Sequence, residues 1–291
     1  MEGYHRSVLL REVIKALDVQ DDYWYLDCTL GDGGHSLEIL KQGGKVVGLD
    51  VDPQALERTE VRLGGLGNVV LIQGNFRDLK DLLKQQTDTD SLKFAGAIFD
   101  LGVSSLQFED PNRGFSFLRQ GQLDMRMDPS LQVKALDLIN VLSRKELYEL
   151  FHNLGEEKYS KRLAAACSST REVVPIRTTT ELAELMVRAV GGLREKIHPA
   201  TRVFQALRIA VNDELNALKA GLDQVKDLVY GYICVISFHS LEDRIVKTVF
   251  KEWEGKGVGQ IVTRKPIVPS DEEIYENPRS RSAKMRVFKK I

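Results

Sequence analysis

Trp24-Tyr25-Leu26-Asp27-Cys28-Thr29-Leu30-Gly31-Asp32-Gly33-Gly34-His35-Ser36 is an apolar run that breaks into a glycine-rich turn and restarts as a helix. Leu26, Cys28 and Leu30 keep the chain extended and half buried, while the glycines permit positive φ and close backbone approach to a ligand. The helix opening at Ser36 points its free N–H groups back at the turn. Lys45 to Asp50 then reads as a second buried strand ending in a carboxylate, seventeen residues after Gly33. An acid at about that distance holds ribose hydroxyls in nucleotide-binding α/β folds. Gly31-x-Gly33-Gly34 is not the dinucleotide pattern G-x-G-x-x-G, and a tight turn without a ligand would use the same glycines. Strand, turn, helix, strand and acid together favour a cofactor cradle.

Outward from this unit, residues 8–17 show helical apolar spacing and precede the first strand as a lead-in helix. Asp52 before Pro53 caps a helix over 54–63. Val69 to Ile72 is a third strand, followed by a loop in which Phe76 either stacks on a base or seals the strand–helix junction. A helix over 78–86 leads to the fourth strand, Phe94 to Asp100, which again ends in an acid. Carboxyl ends of parallel strands share one crevice, so Asp50, Phe76 and Asp100 are expected to converge.

Leu101 to Ser130 reads as a long loop, rich in glycine, polar groups and aromatics. From Ala135 to about Arg194 the pattern is helical, with stretches at 144–153, 156–169 and 179–190. The helix His198 to Asn212 is expected to carry the chain back to a fifth strand, Tyr232 to Phe238. Another helix then opens at His239 and runs to about Trp253. Gln260 to Thr263 and Lys284 to Phe288 have no helix between them and should pair antiparallel. That ending suits the methyltransferase version of the fold better than the all-parallel finish of dinucleotide oxidoreductases.

The 291 residues are 43% hydrophobic and 29% charged, which describes a globular chain with a large core. The most apolar stretch, Leu228 to Phe238, is too short to span a bilayer. Met1 to Arg6 lacks signal-peptide and transit-peptide character, so a cytoplasmic location is expected. Cys28, Cys167 and Cys234 are widely spaced and read as small buried hydrophobes, with no metal site suggested. A net charge of -1 makes no global case for nucleic acid. The basic residues cluster instead at the C-terminus, where Arg279, Arg281, Lys284, Arg286, Lys289 and Lys290 occur without an acid; a solvated edge would look the same.

These residues closely resemble the MraW/RsmH family of bacterial ribosomal-RNA cytosine-N4 methyltransferases across nearly the whole chain. The resemblance rests on Thr29 to Ser36, Asp100 to Ser105, Arg113 to Phe117, Leu123 to Asp128, His198 to Arg202, Ser237 to Arg244 and Asn277 to Ser282. It implies an S-adenosylmethionine-dependent enzyme that methylates a decoding-centre (P-site) cytosine of 16S rRNA in the small ribosomal subunit. The implied fold is an α/β, Rossmann-like class I methyltransferase core, at 1–104 and 198–291, around an inserted mostly helical substrate-recognition domain at 105–197. The implied cofactor contacts are Gly33, Gly34, His35, Asp50, Phe76, Asp100 and Gln107. Leu106 and Gln122 depart from the family's usual prolines and leave the placement of Gln107 and the substrate loop open. The sequence leaves oligomeric state undecided, with a homodimer compatible with it.

Methyl transfer from a sulfonium is an in-line displacement, in which the protein aligns donor and acceptor and needs no metal. Asp100 is the first candidate acceptor for the cytosine amine hydrogens, although it is also an implied cofactor contact. His239 is either a second base or a loop-ordering hydrogen bonder. None of the cysteines looks activated, which favours direct attack by nitrogen over C5 chemistry through a thiolate. Phe115, Phe117, Met125 and Met127 either stack on an extruded base or pack the inserted domain. Arg113, Arg126, Arg202 and Arg208, with Arg279, Arg281 and Arg286, are candidate phosphate contacts, with intramolecular salt bridges as the alternative for any one of them. Two other classes stand beside the methyltransferase reading, a non-catalytic RNA-binding assembly factor and a nicotinamide oxidoreductase. Within the class, another acceptor is the alternative.

Overall fold

Val46, Val47 and Leu49 on one strand and Ala97, Ile98 and Phe99 on another are fully buried, the mark of strands covered by helices on both faces. The computed structural model describes residues 6–86, 92–192 and 197–291. Met1 to His5, on which the reading of the N-terminus rests, and Arg194, the expected end of the helical stretch, lie outside the described residues. The strands are β1 (Trp24–Asp27), β2 (Lys45–Asp50), β3 (Val69–Gln73), β4 (Phe94–Asp100), β5 (Val229–Ser237), β6 (Gly259–Ile261) and β7 (Lys284–Lys290). They form one sheet in the order β3-β2-β1-β4-β5-β7-β6.

The first five strands are parallel, and β7 runs antiparallel to both β5 and β6. The expected antiparallel ending is therefore present. The chain reverses at β1, whose residue Asp27 lies between Gly48 of β2 and Ile98 of β4. In an open parallel sheet a crevice forms where the strand order reverses, at the carboxyl ends.

Helices α1 (Leu10–Leu17), α2 (Gly34–Lys41), α3 (Pro53–Leu63) and α4 (Leu79–Gln85) alternate with the first strands. Of the helices that follow, α5 (Ser105–Glu109), α6 (Ala135–Val141), α7 (Arg144–Asn153), α8 (Ser160–Arg171), α9 (Thr179–Val190) and α10 (Pro199–Asn212) precede α11 (Glu214–Leu228), α12 (Ser240–Gly255) and α13 (Asp271–Glu276). Successive strand residues face opposite sides. Tyr25, Val46 and Ile98 pack with Val13 and Leu17 of α1 and Ile39 of α2. Leu26, Val47 and Phe99 pack with Leu79 and Leu83 of α4, Leu218 and Leu222 of α11 and Phe250 of α12.

Residues 103–214 form a second compact unit, and the sheet unit comprises 1–102 and 215–291. The helical unit has its own core, built from Leu147, Phe151, Leu163, Leu182, Met186, Val203, Phe204 and Leu207 among others. This corrects the expected boundary at 197/198. The apolar face of α10 is committed to the helical core, Asp213 turns the chain with φ 49°, and α11 leads into β5 instead. Within the expected loop 101–130, Ser105–Glu109 is helical because Ser104 and Gln107 cap it reciprocally. Among the described residues no helix is long and apolar enough to cross a membrane.

Phe250 is 1% exposed and lies 5.5 Å from the Trp253 ring and 5.3 Å from the Phe288 ring, joining α12 to β7. Phe250→Ala is expected to cost about 3–5 kcal/mol through the cavity it leaves, read as a lower urea midpoint. A midpoint within error of wild type would contradict this packing account.

Candidate active site

Three glycines shape the turn after β1. Gly31 and Gly33 hold φ at 51° and 69°, values an L side chain adopts only at a cost. A Cβ on Gly33 would lie 2.8 Å from Thr59 Cγ2, and one on Gly34 would collide with Ser7 Oγ. The turn is pinned from α3, where Thr59 Oγ1 donates to Gly31 O at 2.8 Å and Arg62 Nη1 donates to Asp32 O at 2.6 Å. Gly33 is thereby forced into the N-cap position of α2.

Carboxylates end β1, β2 and β4. Asp50 accepts the Gly31 N–H at 2.8 Å through Oδ2 and the Asp52 N–H at 2.9 Å through Oδ1. Asp27, 2% exposed, accepts from Ser36 Oγ at 2.7 Å and from Thr29 N at 3.2 Å. Burial lifts the carboxyls of Asp27 and Asp50 to about 6, against the opposing pull of these donors. The Asp100 N–H donates to Thr29 Oγ1 at 2.6 Å, whereas its buried Oδ1 has no hydrogen-bond partner among the described residues. Burial first, then the nearby charges of Asp27, Glu242 and Glu273, push Asp100 well above the usual carboxylate range.

His35 Nε2 donates to Val8 O at 3.1 Å, and Nδ1 stands 3.9 Å from Asp100 Oδ2. Burial holds the ring at about 4, so it is neutral at pH 7 with its proton placed on Nε2 by the Val8 carbonyl.

The structure brings Gly33, Gly34, His35, Asp50 and Asp100 around one turn. Phe76 packs edge-on against Phe99 at 5.4 Å and against Gly221, which leaves no room there for a Cβ. Its observed work is sealing the strand–helix junction. Gln107 belongs to the helical unit, where its side chain accepts the Ser104 N–H at 3.1 Å. His239 caps α12, with Nδ1 accepting from Glu242 N at 3.4 Å and Nε2 lying 3.3 Å from Glu242 Oε1. The Nδ1 contact is the loop-ordering hydrogen bond of the two alternatives, and the buried Nε2 has no hydrogen-bond partner among the described residues.

Sequence reasoning missed Asp27, Thr29 and Ser36 as supports of the site. An acid inside an apolar strand, with serine nine residues on at the start of a helix, was the available signal.

Three arginines expected to meet phosphate are turned inward. Arg126 binds Asp124 at 2.7 Å and the carbonyls of Pro129 and Leu131. Arg208 makes two bonds to Glu214, at 2.9 and 2.8 Å. Arg286, 7% exposed, makes two to Asp243, at 2.6 and 3.1 Å. Burying a guanidinium requires such fixed partners, and these three are withdrawn as phosphate contacts. Arg113 donates to the carbonyls of Arg126 and Met127. Arg202 is half exposed, while Arg279 and Arg281 are exposed. Phe115, Leu123 and Met125 lie in the helical core, with Phe117 and Met127 packed against it.

The reversal of strand order at β1, a glycine turn opening a helix, acids closing β2 and β4, and an antiparallel β7 define a Rossmann-like class I methyltransferase. The family model described as the MraW methylase family matches residues 2–291, and the chain belongs to that family. A relative from Dehalococcoides mccartyi, called ribosomal RNA small subunit methyltransferase H, is 45% identical over an alignment of 313 residues, which covers 100% of this chain and 88% of the relative. A protein of the same name from Coprothermobacter proteolyticus is 43% identical over 98% of this chain and 96% of its own length. An rRNA methylase structure from Streptococcus thermophilus aligns over 99% of both chains at 12% identity, with a TM-score of 0.44, too loose to add to the topology. The oxidoreductase alternative falls with the family.

The unfolded imidazole takes its proton near 6.5 and the folded one only near 4. His35 therefore contributes stability that is present above pH 6.5 and is lost as pH falls toward 4. Asp27 and Asp50 act oppositely, because their raised carboxyls bind protons preferentially in the folded state between about 4 and 6. The stability advantage of wild type over His35→Asn is expected to shrink as pH falls from 6.5 to 4, measured by urea unfolding at each pH. A constant difference would show that the folded ring titrates normally.

Proposed function

We propose that this chain transfers a methyl group from S-adenosylmethionine to N4 of a decoding-centre (P-site) cytosine in 16S rRNA of the small ribosomal subunit, in the cytoplasm. The observation that carries the chemistry is the buried Oδ1 of Asp100 beside the glycine turn, which has no hydrogen-bond partner among the described residues. The family and the names of its relatives support the substrate class.

The residues present fit the cofactor. Gly31 and Gly33 clear the turn of side chains, and Asp50 retains lone pairs for ribose hydroxyls beyond the two N–H groups it accepts. Among the described residues no lysine or arginine pairs with Asp27, Asp50 or Asp100, a charge deficit that suits a cationic ligand. When bound, S-adenosylmethionine supplies a methyl group on a positively charged sulfur.

The protein's own part is to hold the amine and take its hydrogens. The cytosine amine is a weak nucleophile because its lone pair is conjugated with the ring. An acceptor on its N–H groups favours pyramidalisation and then receives the proton. Asp100 Oδ1 is that acceptor, and its raised basicity makes it a better one than an exposed carboxylate. His35, neutral and fixed by Val8, orders the wall beside Asp100 without contributing charge.

Attack through a cysteine is disfavoured. All three cysteines are buried, and burial raises Cys167 and Cys234 to about 12 and Cys28 well above its usual value. A thiolate nucleophile needs the opposite environment. Arg279 and Arg281 remain the arginines proposed to meet RNA phosphates, and Arg202 remains a proposed contact to the RNA.

Labelled S-adenosylmethionine and small subunits from cells lacking this protein are expected to yield labelled N4-methylcytidine on nucleoside analysis. Asp100→Ala should slow the transfer by about a hundredfold or more. Unlabelled RNA with wild-type protein would refute the substrate, and an undiminished Asp100→Ala rate would refute the acceptor role.

A further inference from the structure

Within the helical unit, the segment before α8 and the start of α10 enclose a cleft of about 430 Å³, part of it open to solvent. Its walls include Glu157, Tyr159, Val190, Ile197, His198 and Arg202. Tyr159 and Ile197 are 41% and 50% exposed there, large apolar side chains left wet on a cleft wall.

The polar groups of this cleft are fixed by the fold. Glu157, 6% exposed, accepts the Tyr159 N–H at 2.8 Å through Oε1, and its Oε2 stands 4.0 Å from Arg202 Nη1. Arg202 Nη1 also donates to Glu156 O at 3.3 Å. His198 Nδ1 accepts the Ala200 N–H at 3.1 Å, so the neutral ring carries its proton on Nε2. That ring is stacked on Phe117 at 4.7 Å, and Phe117 is braced by Phe204 at 4.9 Å. Lys158 Nζ lies 4.9 Å from the Tyr159 ring centre.

A tyrosine ring, an N–H donor, a guanidinium and a carboxylate lining one cleft complement a heterocyclic base, which has a flat π surface and both donors and acceptors along its edge. An isolated phosphate would need no ring and would be repelled by Glu157. An apolar peptide would bury the part-exposed Arg202 without a new partner.

We propose that this cleft receives an unpaired nucleotide of the RNA, its base stacked on Tyr159 and its edge met by His198, Glu157 and Arg202. Lys158 places positive charge where the phosphodiester follows the base. The inference rests on the rRNA reading and deepens it. The cleft is lined by residues of the helical unit and by none of the glycine turn, so its loss is expected to act on RNA binding.

The test compares wild-type protein with Tyr159→Ala, Tyr159→Phe and Ile197→Glu, using methylation of small subunits and anisotropy of an unstructured RNA oligonucleotide. Tyr159→Ala should raise KM for subunits and Kd for the oligonucleotide roughly five- to hundredfold, the span of one lost base stack. Cofactor affinity by calorimetry and the rate at saturating subunit should stay unchanged, and Tyr159→Phe should restore binding. Ile197→Glu, at an exposed position, should weaken RNA binding without disturbing the fold. Unaltered KM and Kd in both Tyr159→Ala and Ile197→Glu would overturn the proposal. Wild-type protein inactive on subunits, with oligonucleotide binding still dependent on Tyr159, would remove the subunit as substrate and uphold the cleft.

Discussion

Carboxylates end the three adjacent parallel strands β1, β2 and β4; those of Asp27 and Asp50 are held by N–H and O–H donors instead of cations, and Asp100 Oδ1 has no hydrogen-bond partner among the described residues. Much of the site follows from that constraint. A buried carboxylate without a cation needs donors at close range, and the shortest supply is backbone. The Gly31 N–H reaches Asp50 only because the turn passes through positive φ, and Ser36 reaches Asp27 only because α2 starts immediately after it. Glycine turn, helix start and raised carboxyls are thus one arrangement, poised against the negative charge it encloses.

The helical unit solves a different problem with the opposite charge. Between residues 110 and 134 it has little regular structure, and its carbonyls need donors that no strand or helix supplies. Arginines provide them. Arg113 bridges the carbonyls of Arg126 and Met127, and Arg126 those of Pro129 and Leu131, while Arg171 does the same for Ile139 and Leu142 at the end of α6. A planar guanidinium carries five N–H groups in a fixed fork, against three rotating ones on an ammonium, and so can bridge carbonyls held in place. Side chains that look like an RNA-facing surface in composition are here the fasteners of an irregular segment.

That contrast explains what was legible beforehand. The parallel strands, the turn and the antiparallel finish are written in local patterns of apolar residues and glycine, and each emerges within a residue or a few of its expected place. Asp50 and Asp100 were readable because they stop apolar runs. Asp27 was not, because it sits within one and its partners lie in the following turn and helix. Charge is visible in a sequence but pairing is not: Arg286 and Asp243 are 43 residues apart, and nothing local announces that one neutralises the other. The helix α11 left a signal in the spacing of Leu215, Leu218, Leu222 and Val225, overlooked because α10 seemed to complete the return to the sheet.

The two ends of the sheet unit also meet over the glycine turn. Leu9 N donates to Glu273 Oε1 at 2.7 Å, Asn277 Nδ2 donates to Arg6 O at 3.2 Å, and Arg6 pairs with Glu276. These contacts fix Val8, whose carbonyl selects the His35 tautomer, and they bring Glu273 near enough to raise Asp100. Read along the chain, residues 270–283 look like a polar surface connection before the last strand. In the folded protein they hold the strap whose Val8 carbonyl fixes the His35 tautomer, so the proton placement at the turn is set by residues more than two hundred positions away in sequence. Short-range pattern could locate the cradle, but only the closed chain could show what tunes it.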